Sequence, residues 1–203
     1  PTLLPIVQAR ANKLRIDWTG YVPPKPKFLG QRIFRNYDLA KLAAYIDWQP
    51  FFQTWDLHGS FPAILQDEVV GPAARRLFED AKQMLERIIS GRWLTANAVV
   101  GFYPANSIND DDIEVYTDDS RNEVLFVYRN LRQQTSKREG VNNKCLADFI
   151  APKTTGMADY IGMFALTTGL GIEKKEQDFA KIQDDYSSIM LKALADRFAE
   201  AFA

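Results

Sequence analysis

Apolar residues recur every three or four positions in two long stretches of the chain, which predicts two long amphipathic helices. The first runs from Gly71 to about Ser90, with a proline near the first turn and Gly91 as a stop signal. The second covers residues 176–203 and shows no stop signal. We therefore expect the C-terminal helix, and the domain it belongs to, to continue beyond Ala203. Shorter stretches predict helices over residues 3–17 and 39–46.

A different pattern fills the centre of the sequence. Runs rich in β-branched and aromatic residues predict strands at residues 98–103, 113–117, 124–128 and 160–166, separated by turn-forming residues. Because these strands follow one another without a helix between each pair, an antiparallel or mixed sheet is favoured over a doubly wound parallel one. The predicted fold class is α+β, with helices flanking the sheet.

The remaining segments give weaker signals. Three prolines within residues 20–30 predict an extended linker, because proline disfavours helical conformations in itself and in its predecessor. Residues 32–38 are interpreted as a short strand. The aromatic run at residues 50–55 is interpreted as a turn or the entry to a strand.

Composition excludes several functional classes. The chain has 203 residues, and its 25 basic residues are balanced by 26 acidic ones, which disfavours a nucleic-acid partner and a membrane surface. The start of the sequence lacks the features of a signal peptide, and no apolar run is long enough to cross a membrane, so we expect a cytoplasmic protein. One cysteine and one histidine do not suffice for a disulfide or a structural zinc site.

Four features invite a catalytic or ligand-binding interpretation, and each has a structural alternative that we favour. The pair Gly169 and Gly171 lacks the third glycine of a dinucleotide-binding loop and indicates an ordinary turn. The lone His58 has no visible nucleophile partner and indicates a surface or capping residue. Cys145 is typical of a small buried apolar residue. The acidic run that begins at Asp110 fits no calcium-binding loop and indicates a solvated loop.

Two carboxylates remain open to either interpretation. Asp47 lies among large aromatic residues and would need a donor or a cation if it were buried, but aspartate is also a common helix cap. Glu200 follows Asp196 by four residues and so shares its polar helix face, where a carboxylate is ordinarily solvated. Residue pattern alone does not decide between a binding site and a structural role.

Eight runs spread over most of the chain occur together and in a characteristic order. They are YIDW (45–48) with PFF (50–52), DEVVG (67–71), FYPAN (102–106), LRQQT (131–135), LADF (146–149), APK (151–153), ADYIG (158–162) and KALADR (192–197). In these runs the chain resembles the activation domain of cobalamin-dependent methionine synthase. The resemblance implies a single C-shaped domain, here lacking its C-terminal part, with a twisted antiparallel sheet.

The resemblance also implies a function. In this family the domain supplies a methyl group from S-adenosylmethionine to an oxidised cobalamin, after flavodoxin or a similar reductase delivers an electron. Cobalamin is held by another domain of the same polypeptide, and the parent enzyme transfers methyl from 5-methyltetrahydrofolate to homocysteine. No side chain of this domain needs to act as a catalyst, because the cofactors carry the chemistry.

Two residues match family positions that contact S-adenosylmethionine, namely Asp47 and Glu200. The family's Arg-x-x-x-Gly-Tyr run belongs after Ala203, and the similar run from Arg15 to Tyr21 is interpreted as a coincidence. One alternative is a docking module for the cobalamin domain or the reductase, without competent S-adenosylmethionine binding. A third hypothesis, an unrelated methyltransferase with a glycine-rich loop, is disfavoured by Lys174 at the position where that loop requires glycine.

Overall fold

The computed structural model describes residues 2–203, which form two compact units. Unit 1 comprises the described residues up to Arg32 together with Val100–Met163. Unit 2 comprises Ile33–Val99 and Phe164–Ala203. The three boundaries between the units all fall within strands, so each unit contains part of the sheet.

Within the described residues the sheet is antiparallel and has five strands. Its strands are β1 (Gly30–Phe34), β2 (Thr95–Ile108), β3 (Asp112–Tyr116), β4 (Val124–Arg129) and β5 (Asp159–Leu170). Their order is β1-β2-β3-β4, and β5 also pairs with β2. In the antiparallel ladders Ala105 lies opposite Val115, and Ile113 lies opposite Tyr128. The predicted α+β fold is therefore confirmed.

Unit 1 has a small apolar core on one face of this sheet. Ile113 and Val115 alternate along β3 and are fully buried against Ala105, Cys145 and Ala147. A short helix, α1 (Ile6–Ala11), and two 3₁₀ turns, Leu146–Phe149 and Lys153–Thr155, complete the unit. Because this apolar cluster is small, polar contacts hold the loops of the unit in place.

Unit 2 contains the larger core and the remaining helices. These are α2 (Leu39–Ala43), α3 (Gln49–Thr54), α4 (Gly71–Ser90), α5 (Ile172–Lys181) and α6 (Asp185–Phe202), with a 3₁₀ turn at Ala63–Gln66. The buried faces of α4 and α6 supply Ala81, Ile88, Leu191, Leu194 and Phe198 to one apolar cluster. The other helices of this unit and its 3₁₀ turn each add at least one buried residue to the same cluster.

The helix α4 begins and ends where the sequence predicted, whereas other elements differ. The predicted helix at residues 3–17 is confined to α1, because Asn12 ends it by bonding its side chain to Asn143 and to the carbonyl of Val141. The predicted turn or strand entry at residues 50–55 is wrong: α3 forms there and buries Phe51 and Phe52.

The C-terminal stretch is also divided. Residues 176–203 were predicted as one helical pattern, but α5 ends at Lys181 and α6 begins at Asp185. Gln183 adopts a left-handed conformation with φ of 55°, which interrupts the helix. The Asp184 side chain then accepts a hydrogen bond from Ser187 N–H and caps α6. No helix in the described residues is both long and apolar enough to span a membrane.

Gly171 is required by the turn between β5 and α5. Its φ is +98°, and a Cβ atom placed there would lie 3.0 Å from the carbonyl oxygen of Trp93. We predict that Gly171→Ala lowers the free energy of unfolding by about 1–3 kcal/mol, because backbone strain and a close contact both oppose a side chain. The measurement is urea unfolding followed by circular dichroism.

Gly169→Ala is the matched control for this prediction. Gly169 has no positive φ, and no neighbouring atom lies within 4 Å of the point that a Cβ atom would occupy there. Its substitution should change the unfolding free energy by less than about 1 kcal/mol. Equal losses in the two variants would contradict a specific requirement at Gly171. Turn geometry therefore explains Gly171, in agreement with the interpretation from sequence, whereas Gly169 lies within β5 and not in the turn.

Candidate functional site

Asp47 lies on the surface of unit 2, immediately before α3. Its Oδ1 atom accepts a hydrogen bond from the backbone N–H of Gln49 at 2.9 Å. The residue is exposed rather than buried among the neighbouring aromatics. One carboxylate oxygen therefore stabilises the start of the helix, while the rest of the group faces solvent.

Aromatic packing holds the backbone on which Asp47 sits. The ring of Trp48 meets the rings of Phe51 and Phe78 edge to face, at centroid distances of 5.4 Å and 4.9 Å. On the other side of Asp47, the Tyr45 side chain is 75% exposed. The sequence therefore folds into a rigid turn that presents one carboxylate and one tyrosine to solvent.

The side-chain amide of Gln49 stabilises the same turn through two further hydrogen bonds. Its amide donates to the carbonyl of Gly59 at 2.6 Å and accepts from the N–H of Phe61 at 2.7 Å. These two bonds tie the loop around His58 to the first turn of α3. His58 itself is exposed, as expected for a surface residue.

Glu200 lies near the end of α6 and is half exposed. Its carboxylate forms an ion pair with Arg197, whose guanidinium also bonds Asp196 at 2.5 Å. The Arg197 side chain is 11% exposed, so it is far more buried than either acidic partner. Arg197 thus holds two carboxylates on one face of the helix, a role that was not apparent from the sequence.

The two predicted ligand contacts belong to elements that touch. Asp47 accepts a hydrogen bond from the first residue of α3, and α3 packs against α6, which carries Glu200. Across the described residues, the two carboxylates make no hydrogen bond with each other, and neither pairs with the other's neighbours. Unit 2 therefore offers two separately anchored acidic groups on contacting helices.

Acidic side chains in the run that begins at Asp110 form ion pairs in unit 1. Asp110 pairs with Lys13 at 2.8 Å, Asp112 with Arg129 at 2.9 Å, and Glu114 with Lys153 at 2.6 Å. Hydrogen bonding by these lysines lowers the pKa of the Asp110 and Glu114 carboxyl groups. The described residues contain no cluster of three or more potential metal ligands.

Unit 1 also contains a buried network of ion pairs that the sequence did not predict. The guanidinium of Arg132 is fully buried and makes a bidentate contact with Asp148, at 2.7 Å and 2.9 Å. It also bonds Asp111 at 2.7 Å. Burial alone would lower the pKa of Arg132, but its hydrogen bonds to Asp148 and Asp111 outweigh burial and the net pKa is raised.

The single cysteine lies beside this network. The Cys145 side chain is 3% exposed, and burial raises the pKa of its thiol. A protonated, buried thiol is a poor nucleophile. The interpretation of Cys145 as a small buried apolar residue is in agreement with this environment.

Comparison with known proteins places these features in a family. The profile of the vitamin B12 dependent methionine synthase activation domain matches residues 38–203. The crystal structure of the MetH reactivation domain bound to AdoHcy is similar to this chain, with 48% sequence identity and a TM-score of 0.91. The similarity covers 100% of this chain and 61% of that chain, so this chain spans less than two thirds of the matched structure. The chain therefore belongs to the family of vitamin B12-dependent methionine synthase activation domains.

Proposed function

We propose that this chain binds S-adenosylmethionine and presents its methyl group to a cobalamin held by another domain of the same polypeptide. The observation that carries the proposal is the similarity, over the whole chain, to a reactivation domain bound to AdoHcy. S-adenosylhomocysteine is the compound that remains when S-adenosylmethionine has lost its methyl group. A fold that holds one is suited to hold the other.

Asp47 fits a cationic ligand. S-adenosylmethionine carries a sulfonium and an ammonium group, and a carboxylate attracts both. Because only one oxygen of Asp47 is bonded within the described chain, the other can accept a hydrogen bond or face a positive charge. The hydrogen bond from Gln49 N–H fixes the side chain in place, so little conformational entropy is lost on binding.

Glu200 offers a second carboxylate whose charge is partly balanced. Arg197 neutralises one side of it, so Glu200 should attract a full positive charge less strongly than Asp47 does. A carboxylate already oriented by a guanidinium is well suited to accept hydrogen bonds from hydroxyl groups. We assign Asp47 to the cationic part of the ligand and Glu200 to a neutral donor.

The further steps of the proposal concern the parent enzyme. Cobalamin accepts the methyl group, and a flavodoxin-type reductase supplies the electron. The parent reaction moves methyl from 5-methyltetrahydrofolate to homocysteine. This domain contributes binding and orientation, and none of its side chains acts as a nucleophile or base.

Calorimetric titration with S-adenosylmethionine tests the binding role. The titrations compare the 203-residue chain with a chain extended through the Arg-x-x-x-Gly-Tyr segment that the resemblance places after Ala203. We expect the extended chain to bind more tightly, because that segment adds an arginine for the ligand carboxylate. Asp47→Asn in the extended chain should weaken binding by about tenfold, or about 1.4 kcal/mol.

Asp38→Asn is the matched control. Asp38 is also exposed and, like Asp47, accepts a hydrogen bond from the backbone N–H two residues ahead, that of Ala40 at 2.9 Å, but it matches no ligand position. It should leave affinity unchanged. Titration with S-adenosylhomocysteine separates the roles: a loss seen with S-adenosylmethionine alone places Asp47 near the sulfonium, and a loss with both places it near the ammonium. If the extended chain shows no binding at millimolar ligand, the docking-module hypothesis replaces this one.

A further inference from the structure

Among the described residues, Arg197 is the only basic side chain that contacts either of the carboxylates assigned to the ligand. The Oε2 atom of Glu200 accepts from the Arg197 guanidinium, whereas Oε1 makes no hydrogen bond within the described chain. Asp47 is arranged in the same way, because its Oδ1 atom accepts from Gln49 N–H and Oδ2 has no hydrogen bond there. Each carboxylate is thus held by one oxygen and offers the other to a ligand.

The Arg197 side chain is anchored more firmly than the carboxylate that it holds. It is 11% exposed, whereas the Glu200 side chain is 54% exposed. Ala193 and Ala201, four residues before and after Arg197, pack at the edge of the core of unit 2. Since residues four apart share a helix face, the aliphatic stem of Arg197 lies along this edge while its guanidinium reaches the exposed carboxylates. The guanidinium therefore keeps one position before any ligand arrives.

The ion pair with Arg197 orders a side chain that would otherwise be mobile. Glutamate has several rotatable side-chain bonds, and fixing them when a ligand binds reduces affinity. Because a guanidinium is planar and donates in fixed directions, it restricts the orientation of the Glu200 carboxylate as well as its position. Glu200 is thus ordered when the chain folds rather than when the ligand binds.

The charges around Arg197 determine which kind of ligand group Glu200 can accept. The guanidinium also bonds Asp196, which is 73% exposed, at 2.5 Å. Glu200 therefore keeps part of its negative charge, but less than Asp47, which has no ion-pair partner among the described residues. A partly neutralised carboxylate attracts a full positive charge weakly, yet it still accepts a hydrogen bond from a hydroxyl or amino group.

We propose that Arg197 is a positioning residue of the ligand site, which orients Glu200 toward a neutral hydrogen-bond donor of the adenosyl group. Arg197 itself does not contact the ligand. The inference rests on the proposed function, because it requires Glu200 to be a ligand contact. The adenosyl group carries hydroxyl and amino donors and is common to S-adenosylmethionine and S-adenosylhomocysteine. Arg197 is therefore equally important for binding of either compound.

The test is a double-mutant cycle in the chain extended through the Arg-x-x-x-Gly-Tyr segment, with affinities measured by calorimetric titration. Arg197→Met keeps an apolar stem and removes the guanidinium. It should weaken S-adenosylmethionine and S-adenosylhomocysteine alike, by about fivefold, and Glu200→Gln should weaken both by about tenfold. Adding Arg197→Met to Glu200→Gln should weaken binding no further, because Arg197 acts through Glu200.

Lys192→Met is the matched control. It removes a cation from the same helix, but Lys192 pairs with Glu176 at 2.6 Å and not with Glu200. It should leave affinity unchanged. Arg197→Lys keeps the charge without the planar donor geometry, so it should recover only part of the affinity that Arg197→Met loses. Urea unfolding shows whether each variant is folded, and if Arg197→Met is not, the same cycle is run with Arg197→Lys.

Each other outcome contradicts the role of Arg197. Equal losses from Arg197→Met in the parent and in the Glu200→Gln chain would show that Arg197 acts independently of Glu200. A loss confined to S-adenosylmethionine would place the effect at the sulfonium instead of the adenosyl group. If Asp47→Asn weakens binding but Glu200→Gln does not, the proposed function stands and the role of Arg197 is wrong. If the extended chain binds neither compound, both are wrong.

Discussion

Replacing Asp148 with alanine is expected to lower the free energy of unfolding by about 3–5 kcal/mol, because it leaves the buried guanidinium of Arg132 without its bidentate partner. Arg132 is fully buried and Asp148 is 3% exposed, so water cannot replace the lost carboxylate. The carboxylate of Asp148 also accepts the N–H of Cys145 at 2.9 Å, and this bond is lost too. Urea unfolding of the variant and the parent chain, followed by circular dichroism, gives the difference.

Asp112→Ala is the control for this variant. It removes the carboxylate that pairs with Arg129, a side chain that is 76% exposed, and should cost about 1 kcal/mol or less. Similar losses for the two variants would show that burial does not set the cost. A second variant, Arg132→Met with Asp148→Leu, removes both charges together and should recover part of the stability. If it is less stable than Asp148→Ala, the uncompensated charge is not the cause.

Replacing Phe198 with alanine is the other large effect, with an expected loss of about 3–5 kcal/mol. Phe198 is fully buried in the core of unit 2, where α6 packs on α2, α3 and α4. The substitution leaves a cavity that the surrounding helices cannot fill completely. Thermal and urea unfolding both measure the loss.

Tyr45→Ala is the control for core packing in the same unit. The Tyr45 side chain is 75% exposed, so its removal should change stability by less than about 0.5 kcal/mol. A loss for Phe198→Ala below about 1 kcal/mol would contradict tight packing around α6. Since Glu200 lies two residues further along α6, the Phe198 variant should also weaken S-adenosylmethionine binding by the extended chain.

Sequence patterns predicted the ends of an element correctly where those ends depend on the element's own residues. The helix α4 has proline near its first turn, a continuous apolar stripe and Gly91 at its end, and its observed bounds match the prediction. The strands β3 and β4 were also located to within about one residue at either end. Periodicity and capping depend on residues that are neighbours in sequence, so they can be recognised without the fold.

Two predictions of helical structure, those for α3 and for the stretch of α5 and α6, did not match the structure. The aromatic run of α3 carries no helical pattern of its own, and it is helical because Phe51 and Phe52 reach the core together. The break between α5 and α6 depends on a left-handed Gln183 and a cap by Asp184 that a continuing apolar stripe concealed. Tertiary packing overrode the local pattern at α3, and local capping overrode the apolar stripe between α5 and α6.

The candidate site shows the same division. Asp47 and Glu200 were predicted as ligand contacts because they match positions of a family, not because their spacing indicated a ligand. The ion pairs of Arg197 were not predicted, because the sequence of a helix does not show which neighbouring charges a residue will contact. The pairing of Arg132 with Asp148 was missed although both lie in runs that carry the resemblance, since residues 16 positions apart reveal no contact in sequence.

The sequence by itself determined the fold class, the long helix α4, the central strands and membership of the methionine synthase activation domain family. These depend on local periodicity and on residue runs that can be compared one by one. Only the tertiary structure decided that Asp47 is exposed beside α3, that Glu200 is paired with Arg197, and that a buried ion network holds unit 1 together. Those features depend on which distant segments meet and how much water is excluded where they do, and neither is encoded in any single stretch of the chain.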